Sequence, residues 1–271
     1  MYFCAMFNNA PIGIFDSGVG GLTVARAIAQ LLPKEQFIYY GDTAHLPYGD
    51  KSEDAIKTYS KNITQFLIDA GCKAVVVACN TASAVAYDTL VETFGAMLPI
   101  INVLDPVVTA VSHKNYAQVG VIGTRATIKS QAYVKRLKAF NEGLEVKSLA
   151  TPLLVPVIEE GFAHSAISTE VLRYYLDQKE LAHIDALILG CTHYPILHQE
   201  IEQYLTQSVE VIDSPHIVAQ AVGQILEKEG LLADKSTGTK VFYVSDYTDT
   251  FARIAHHFFG TEVALIEKKI M

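Results

Sequence analysis

The sequence has no cluster of basic residues, no cysteine pair in a CxxC spacing and no apolar run long enough to cross a membrane. Its 21 lysines and arginines are outnumbered by 29 aspartates and glutamates, which gives a formal net charge of −8. An acidic chain without a basic patch is a poor match for a nucleic-acid surface. It can still bind an acidic metabolite, because backbone N–H groups and helix N-termini carry local positive charge.

The four cysteines are spread along the chain: Cys4, Cys72, Cys79 and Cys191. This spacing is typical of free thiols in a reducing cytoplasm, and it favours neither a disulfide framework nor a metal site. The apolar residues 1–7 form a short run without a basic flank, so we expect no signal peptide there. We therefore expect a cytoplasmic protein that requires no nucleic acid, membrane or metal.

Short apolar runs alternate with helical stretches along the 271 residues. Continuous apolar runs are typical of strands buried on both faces of a parallel sheet. The repeated strand–helix order predicts an α/β fold with mainly parallel sheet. The length accommodates either one large domain or two lobes, and a boundary near Pro99 favours two.

Two of the apolar runs end in the same way. Residues 74–78 lead to Cys79, residues 186–190 lead to Cys191, and polar residues follow both cysteines. Nearby N–H groups and the dipole of a following helix stabilise a thiolate, so we expect both thiols to have a lowered pKa. If the two halves of the chain are duplicated lobes that face each other, both thiols lie at one cleft.

Paired thiols are suited to inverting a carbon centre. Inversion requires a base that removes a proton from one face and an acid that delivers a proton to the other. One thiolate and one thiol on opposite sides of a substrate can therefore run racemisation in either direction. Three alternatives remain open from the residues alone: buried structural cysteines, covalent acyl chemistry by Cys191 with His193, and a reversible disulfide.

Three further stretches carry candidate ligand-binding groups. Residues 16–21 form a glycine-rich turn that lacks both the GxGxxG spacing and a following Gly-Lys-Ser/Thr, so we expect it to present the Asp16 carboxylate and Ser17 hydroxyl to a small polar ligand. The long connection over residues 41–50 is either a functional loop or a surface loop held by proline and glycine. Thr124 is either a simple N-cap or a ligand contact.

Taken together, four motifs resemble the signatures of the glutamate racemases, a cofactor-independent family that makes D-glutamate for peptidoglycan: residues 16–21 (DSGVGG), 46–49 (LPYG), 78–82 (ACNTA) and 190–195 (GCTHYP). The resemblance implies two pseudosymmetric α/β lobes, each with a mainly parallel sheet flanked by helices and with the active site in the cleft between them. In that architecture residues 1–99 and 210–271 form the first lobe, and residues 100–209 form the second.

The resemblance also implies roles for individual residues. Cys79 and Cys191 would be the catalytic acid–base pair, assisted by Asp16 and His193. The residues expected around bound glutamate are Asp16, Ser17, Tyr48, Gly49, Asn80, Thr81, Thr124, Thr192 and His193. Glu159, an ordinary solvated helix residue by its sequence alone, would lie near the substrate ammonium group.

No cofactor is expected, because no lysine lies in the four motifs to anchor a pyridoxal Schiff base. Hydroxyls and amides of the motifs can bind two carboxylates by prearranged dipoles. Two rival predictions remain: a two-thiol racemase or isomerase that acts on aspartate or another small acid, and an amino-acid-binding regulatory protein. The sequence leaves the oligomeric state open, with a homodimer as one option.

Overall fold

The computed structural model describes residues 8–205, 209–235, 238–261 and 263–270; Cys4 lies outside these ranges. The strands in the described residues are β1 (Ile12–Asp16), β2 (Phe37–Gly41), β3 (Ala74–Val77), β4 (Ile100–Asn102), β5 (Gln118–Gly123), β6 (Glu145–Ala150), β7 (Ala186–Gly190), β8 (Glu210–Ile212), β9 (Lys240–Val244) and β10 (Leu265–Glu267). They form a six-stranded sheet in the order β10-β9-β2-β1-β3-β4 and a four-stranded sheet in the order β6-β5-β7-β8. All of the pairings in both sheets are parallel.

Helices connect the strands and cover the sheets. They are α1 (Leu22–Leu31), α2 (Glu53–Asp69), α3 (Asn80–Val85), α4 (Tyr87–Phe94), α5 (Leu104–Ser112), α6 (Arg125–Lys129), α7 (Ala132–Phe140), α8 (Leu154–Glu159), α9 (Ala166–Leu176), α10 (His198–Leu205), α11 (Ser214–Lys228) and α12 (Asp249–Phe259). The predicted α/β class with parallel sheets is therefore confirmed. Among the described residues, no helix is both long and apolar enough to cross a membrane.

The lobe boundaries expected near residues 99 and 209 separate two edge strands from the sheets to which they belong. Strand β4 pairs with β3 and is thus part of the six-stranded sheet. Strand β8 pairs with β7 and is part of the four-stranded sheet. Each strand is only three residues long. Hydrogen bonding to a neighbouring strand thus assigns β4 to the six-stranded sheet and β8 to the four-stranded sheet, and the approximate lobe boundaries stay a prediction.

Local sequence accounts for several helix starts and one break. The Ser52 hydroxyl accepts a hydrogen bond from the Ala55 N–H at the start of α2, and Thr124 caps α6 in the same way. The stretch after Thr124 forms two helices, α6 and α7, which are separated at Gln131. Gln131 has a left-handed backbone (φ 58°), which interrupts the helical hydrogen bonds.

Two apolar cores hold the sheets in place. The larger one is continuous between the sheets: it includes Ile14 and Val76 of the six-stranded sheet, Val121 and Ile188 of the four-stranded sheet, and Val222 of α11. The second core lies on the other face of the six-stranded sheet, under α2 and α4. Because α11 packs on α1, the chain returns from the second sheet to the first before β9 begins.

Candidate active site

A cavity of about 220 Å³ lies where the carboxyl ends of strands from both sheets meet. The predicted site residues that line it are Ser17, Tyr48, Gly49, Cys79, Asn80, Thr81, Thr124, Glu159, Cys191, Thr192 and His193. Ligand sites of parallel α/β sheets form at these strand ends. Both cysteines that the sequence singled out are therefore walls of one cavity, and they come from different sheets.

The Cys79 thiol lies at the beginning of α3, directly after β3. Its Sγ accepts a hydrogen bond from the Ala82 N–H at 3.4 Å and lies 3.6 Å from the Ser17 hydroxyl, to which the thiol donates. Cys79 is 4% exposed. The strand therefore delivers the thiol to the cavity wall, and the helix start holds it there.

The pKa of Cys79 is the reverse of what the helix start led us to expect. Burial and the nearby Asp16 charge raise it to about 12, although the contacts with Ala82 and Ser17 act to lower it. Removing the sulfur from water disfavours the thiolate more than the amide of Ala82 and the groups of Ser17 stabilise it. Burial and the Asp16 charge thus favour the protonated thiol of Cys79 at neutral pH.

Asp16 is fully buried and does not line the cavity, unlike the substrate-contacting residue that the resemblance implied. Its Oδ2 accepts hydrogen bonds from the N–H groups of Gly18 and Gly21 at 3.2 and 3.0 Å. The glycine-rich turn is therefore folded around this carboxylate. Oδ1 is buried without a hydrogen-bond partner among the described residues. Asp16 influences the cavity through its charge, which acts on the Cys79 thiol.

The Cys191 thiol has a different environment. A short 3-10 turn (Tyr194–Leu197) follows it, and the next α-helix begins only at His198, so Cys191 is not at a helix N-terminus as expected. Its Sγ lies 3.8 Å from Nδ1 of His193. The other ring nitrogen of His193, Nε2, lies 2.9 Å from Oε1 of Glu159. A thiol, an imidazole and a carboxylate thus form a chain along this side of the cavity.

His193 carries a proton in this arrangement. Burial acts to lower its pKa, but the contacts with Cys191 and Glu159 outweigh burial and raise the pKa to about 10. The imidazolium stabilises negative charge that develops on the neighbouring sulfur. The glycine-rich turn also touches this ring, because a Cβ added at Gly20 would lie 2.4 Å from its Nδ1.

Tyr48 is held on the cavity wall by a buried carboxylate. Its hydroxyl donates to Oδ2 of Asp42 at 2.6 Å, and Asp42 also accepts from the Ser245 hydroxyl at 2.9 Å and contacts the His45 ring. Burial, together with the Asp42 charge, raises the pKa of Tyr48 well above its usual value. Tyr48 therefore presents a neutral phenol, with its orientation fixed from behind the wall.

Hydroxyls and amides on the remaining wall are connected between the two sheets. The Thr81 and Thr124 hydroxyls are 2.9 Å apart, and both contact Thr127. Oδ1 of Asn80 accepts a hydrogen bond from the Tyr133 hydroxyl at 2.7 Å. Thr124 is therefore both the N-cap of α6 and a cavity residue, and its role as a ligand contact stays a prediction.

The sequence did not single out the other residues that line the cavity: Leu46, Pro47, Asp50, Arg125, Pro152, Val155, Pro156 and Tyr194. Leu46, Pro47 and Tyr194 belong to the family-like motifs, and Arg125 directly follows Thr124, so proximity to a motif is the signal that could have found them.

Cys72 is buried away from this cavity, as expected of a core residue. No group of three or more His, Cys, Asp or Glu in the described residues is arranged to hold a metal ion.

The sequence model of one protein family, Asp/Glu/Hydantoin racemase, matches residues 12–222. The chain belongs to this family. Together with the glutamate racemases described next, this match confirms the resemblance that the four motifs indicated, and the protein is an amino-acid racemase. The cavity between the two sheets is its candidate active site.

Individual relatives can be aligned with nearly the whole length of this chain. A glutamate racemase of Chlorobaculum parvum is 42% identical over 260 residues, which are 95% of each chain. One of Geobacter metallireducens is 43% identical over 251 residues, which are 92% of each chain. The crystal structure of glutamate racemase from Francisella tularensis in complex with D-glutamate superimposes with a TM-score of 0.90 at 38% identity, and the match covers 97% of this chain and 98% of that one.

Proposed function

We propose that this racemase interconverts L- and D-glutamate without a cofactor, using Cys79 and Cys191 as the two acid–base groups. The observation that carries the proposal is that the two thiols come from different sheets and line one cavity. The relatives described above are named glutamate racemases, and the Francisella tularensis structure contains D-glutamate. These names support glutamate as the substrate.

The proton transfers balance without any additional reactant. A thiolate on one face takes the Cα proton, and the thiol on the other face gives its proton to the carbanion. The first cysteine ends as a thiol and the second as a thiolate, so the product state is prepared for the reverse reaction. Burial raises the pKa of Cys79 and favours its protonated form, which suits this thiol to the role of the acid.

The charged neighbours assist the two thiols in different ways. The imidazolium of His193 stabilises the sulfur of Cys191 when that sulfur is negative. The buried Asp16 carboxylate raises the proton affinity of Cys79, which makes the Cys79 thiolate a stronger base once it forms. Prearranged dipoles on the cavity wall would stabilise the charge that develops next to the substrate carboxylate.

We assign substrate binding to the polar wall of the cavity. The hydroxyls and amides of Ser17, Asn80, Thr81, Thr124 and Thr192 can hydrogen bond to the two carboxylates, with Tyr48 and Gly49 completing the surface. Glu159, whose Oε1 faces His193, also lines the cavity and would supply negative charge for the substrate ammonium group. The D-glutamate produced would supply peptidoglycan synthesis in the cytoplasm.

Isotope exchange tests the chemistry and the substrate together. In D₂O, the wild-type protein should introduce deuterium at the α-carbon of L-glutamate and form D-glutamate, and L-aspartate serves as the substrate control. Cys79→Ser and Cys191→Ser should each abolish net racemisation, whereas Cys72→Ser, a buried cysteine away from the cavity, should retain it. Racemisation that persists in either of the first two variants would disprove the two-base assignment.

Growth tests the cellular role separately. Expression of the wild-type protein should restore growth of a bacterium that requires external D-glutamate, and the Cys191→Ser protein should not. If the purified enzyme racemises glutamate but its expression does not restore growth, the peptidoglycan role is wrong while the catalytic assignment holds.

A further inference from the structure

The rim of the cavity carries an ion pair that the two-thiol chemistry does not use. Nη1 of Arg125 donates a hydrogen bond to Oδ1 of Asp50 at 3.1 Å. Asp50 ends the 3-10 turn Tyr48–Asp50, which follows a strand of the six-stranded sheet, and Arg125 begins α6, which follows a strand of the four-stranded sheet. Both side chains line the cavity, and their exposed fractions are 61% for Arg125 and 56% for Asp50.

Arg125 stands out by its charge. Among the described residues that line the cavity, the cationic side chains are Arg125 and His193, and His193 is buried between Cys191 and Glu159. Glu159 adds negative charge inside, and the whole chain has a net charge of −8. An amino acid with two carboxylates therefore meets an acidic protein whose exposed positive charge at this cavity is Arg125. Such a charge raises the encounter rate of an anionic ligand.

The ion pair is not needed to hold the rim together. Next to it, a Cβ added at Gly49 would lie 2.9 Å from Cβ of Thr124, so backbone and side chain are already in close contact. The Thr81 and Thr124 hydroxyls make a second connection at 2.9 Å. An ion pair between exposed side chains contributes little to stability, so the guanidinium can exchange Asp50 for another carboxylate at little cost.

We propose that Arg125 is a specificity-determining residue that captures a carboxylate of the incoming substrate, and that Asp50 competes for the same guanidinium when the cavity is empty. The proposal rests on the proposed glutamate specificity. A guanidinium suits this role because it can form two parallel hydrogen bonds with one carboxylate. Substrate binding then replaces one Arg–carboxylate pair by another, and the Asp50 carboxylate is released to solvent.

The competition predicts opposite effects for the two partners. Arg125→Gln removes the capturing charge and should raise KM for L- and D-glutamate roughly three- to tenfold. Asp50→Asn removes the competitor and should lower KM roughly twofold. In both variants kcat should stay within about twofold of the wild-type value, since binding that is equal in the ground and transition states changes KM alone. Arg125→Lys, which keeps the charge but not the fork, should give an intermediate KM.

A matched control is Arg173→Gln, which breaks an exposed Arg–Glu pair on α9 that does not line the cavity and should leave KM unchanged. The Kd for L-glutamate, measured by calorimetry, should rank the variants in the same order as KM does. This binding measurement tests the role of Arg125 even if no deuterium enters the substrate. The absence of deuterium would disprove only the proposed function. The capture role would be overturned if Arg125→Gln and Asp50→Asn shifted KM and Kd equally and in the same direction. It would also be overturned if neither variant shifted them.

Discussion

Nε2 of His193 lies 2.9 Å from Oε1 of Glu159, and Nδ1 of the same ring faces Sγ of Cys191. Glu159 is on α8, whereas Cys191 and His193 follow β7, so this chain of contacts forms only when these elements pack together. The imidazolium is held between two groups that can carry negative charge. This relationship determines how the Cys191 side of the site responds to pH.

Protein stability should depend on pH through His193. The folded protein holds the His193 proton up to a pKa of about 10, whereas the unfolded chain releases it near 6.5. This contribution to the free energy of unfolding is therefore fully present below pH 6.5 and is lost as pH rises through about 10. Urea unfolding at pH 6.5 and pH 9.5 should show lower stability at the higher pH. The Glu159→Gln variant lacks one of the groups that raise the His193 pKa, so it should lose less stability between the two pH values. Equal losses in the wild-type protein and the variant would contradict this origin.

As the pH rises, the Glu159→Gln variant should lose activity at a lower pH than the wild-type protein does. Replacing the carboxylate by a neutral amide removes one of the groups that raise the His193 pKa, so the basic limb of kcat/KM should move down by roughly one pH unit. The exposed neighbour Glu160 does not line this cavity, so Glu160→Gln is the control and should leave the profile in place. Identical profiles for Glu159→Gln and wild type would show that Glu159 does not set this limb.

Ser17→Ala should weaken the Cys79 side of the reaction. The Ser17 hydroxyl lies 3.6 Å from Sγ of Cys79 and acts to lower the thiol pKa against the effects of burial and Asp16. Without this hydroxyl the thiolate is harder to form, and kcat should fall about tenfold, the effect of one hydrogen bond to a charged group. Steady-state rates from L- and D-glutamate provide the measurement. Ser112→Ala, which removes a local hydroxyl contact at the end of α5, should leave both rates unchanged.

Gly20→Ala should damage the site while the fold persists. The new Cβ would lie 2.4 Å from the His193 ring and 2.6 Å from the Thr192 hydroxyl, so the ring or the turn has to shift from its present position. We expect a loss of kcat of at least about 100-fold, because small displacements of a positioned catalytic group are costly. Gly143→Ala is the control, since the contact found for its added Cβ is Asn141 at 3.4 Å. Wild-type kcat in Gly20→Ala would show that the turn does not position His193.

A buried ion pair away from the cavity should make a large contribution to the free energy of unfolding. Nζ of Lys73 is fully buried, lies 2.5 Å from Oε2 of Glu35 and donates to the carbonyls of Asn8 and Leu231. Lys73→Met leaves the Glu35 charge buried without its partner, which should lower the free energy of unfolding by about 3–5 kcal/mol. Adding Glu35→Gln should recover part of the loss. Urea unfolding of the two variants checks this, and an undiminished midpoint in Lys73→Met would refute it.

Local sequence was sufficient for much of the fold and for the candidate reacting groups. Continuous apolar runs indicated buried parallel strands, and the polar residues after Cys79 and Cys191 marked where those strands end. The sequence analysis did not single out strand β10, which is only three residues long and largely exposed. Edge strands of this length are defined by their neighbour's hydrogen bonds more than by their own residues.

The pKa of Cys79 shows where local reasoning fails. The start of a helix can be inferred from sequence, and its N–H groups do contact the sulfur, but the depth of burial and the Asp16 charge come from other parts of the chain. For the same reason, the sequence could not pair Arg125 with Asp50 or Glu159 with His193.

The sequence by itself determined which residues have the chemistry for racemisation and at which strand ends they lie, because periodicity and strand termination are local properties. The tertiary structure alone decided which of these residues share a cavity, which are buried behind its wall and which charges they experience. Burial and electrostatic interaction depend on distances between residues far apart in the chain, and only the packing of the two sheets fixes those distances.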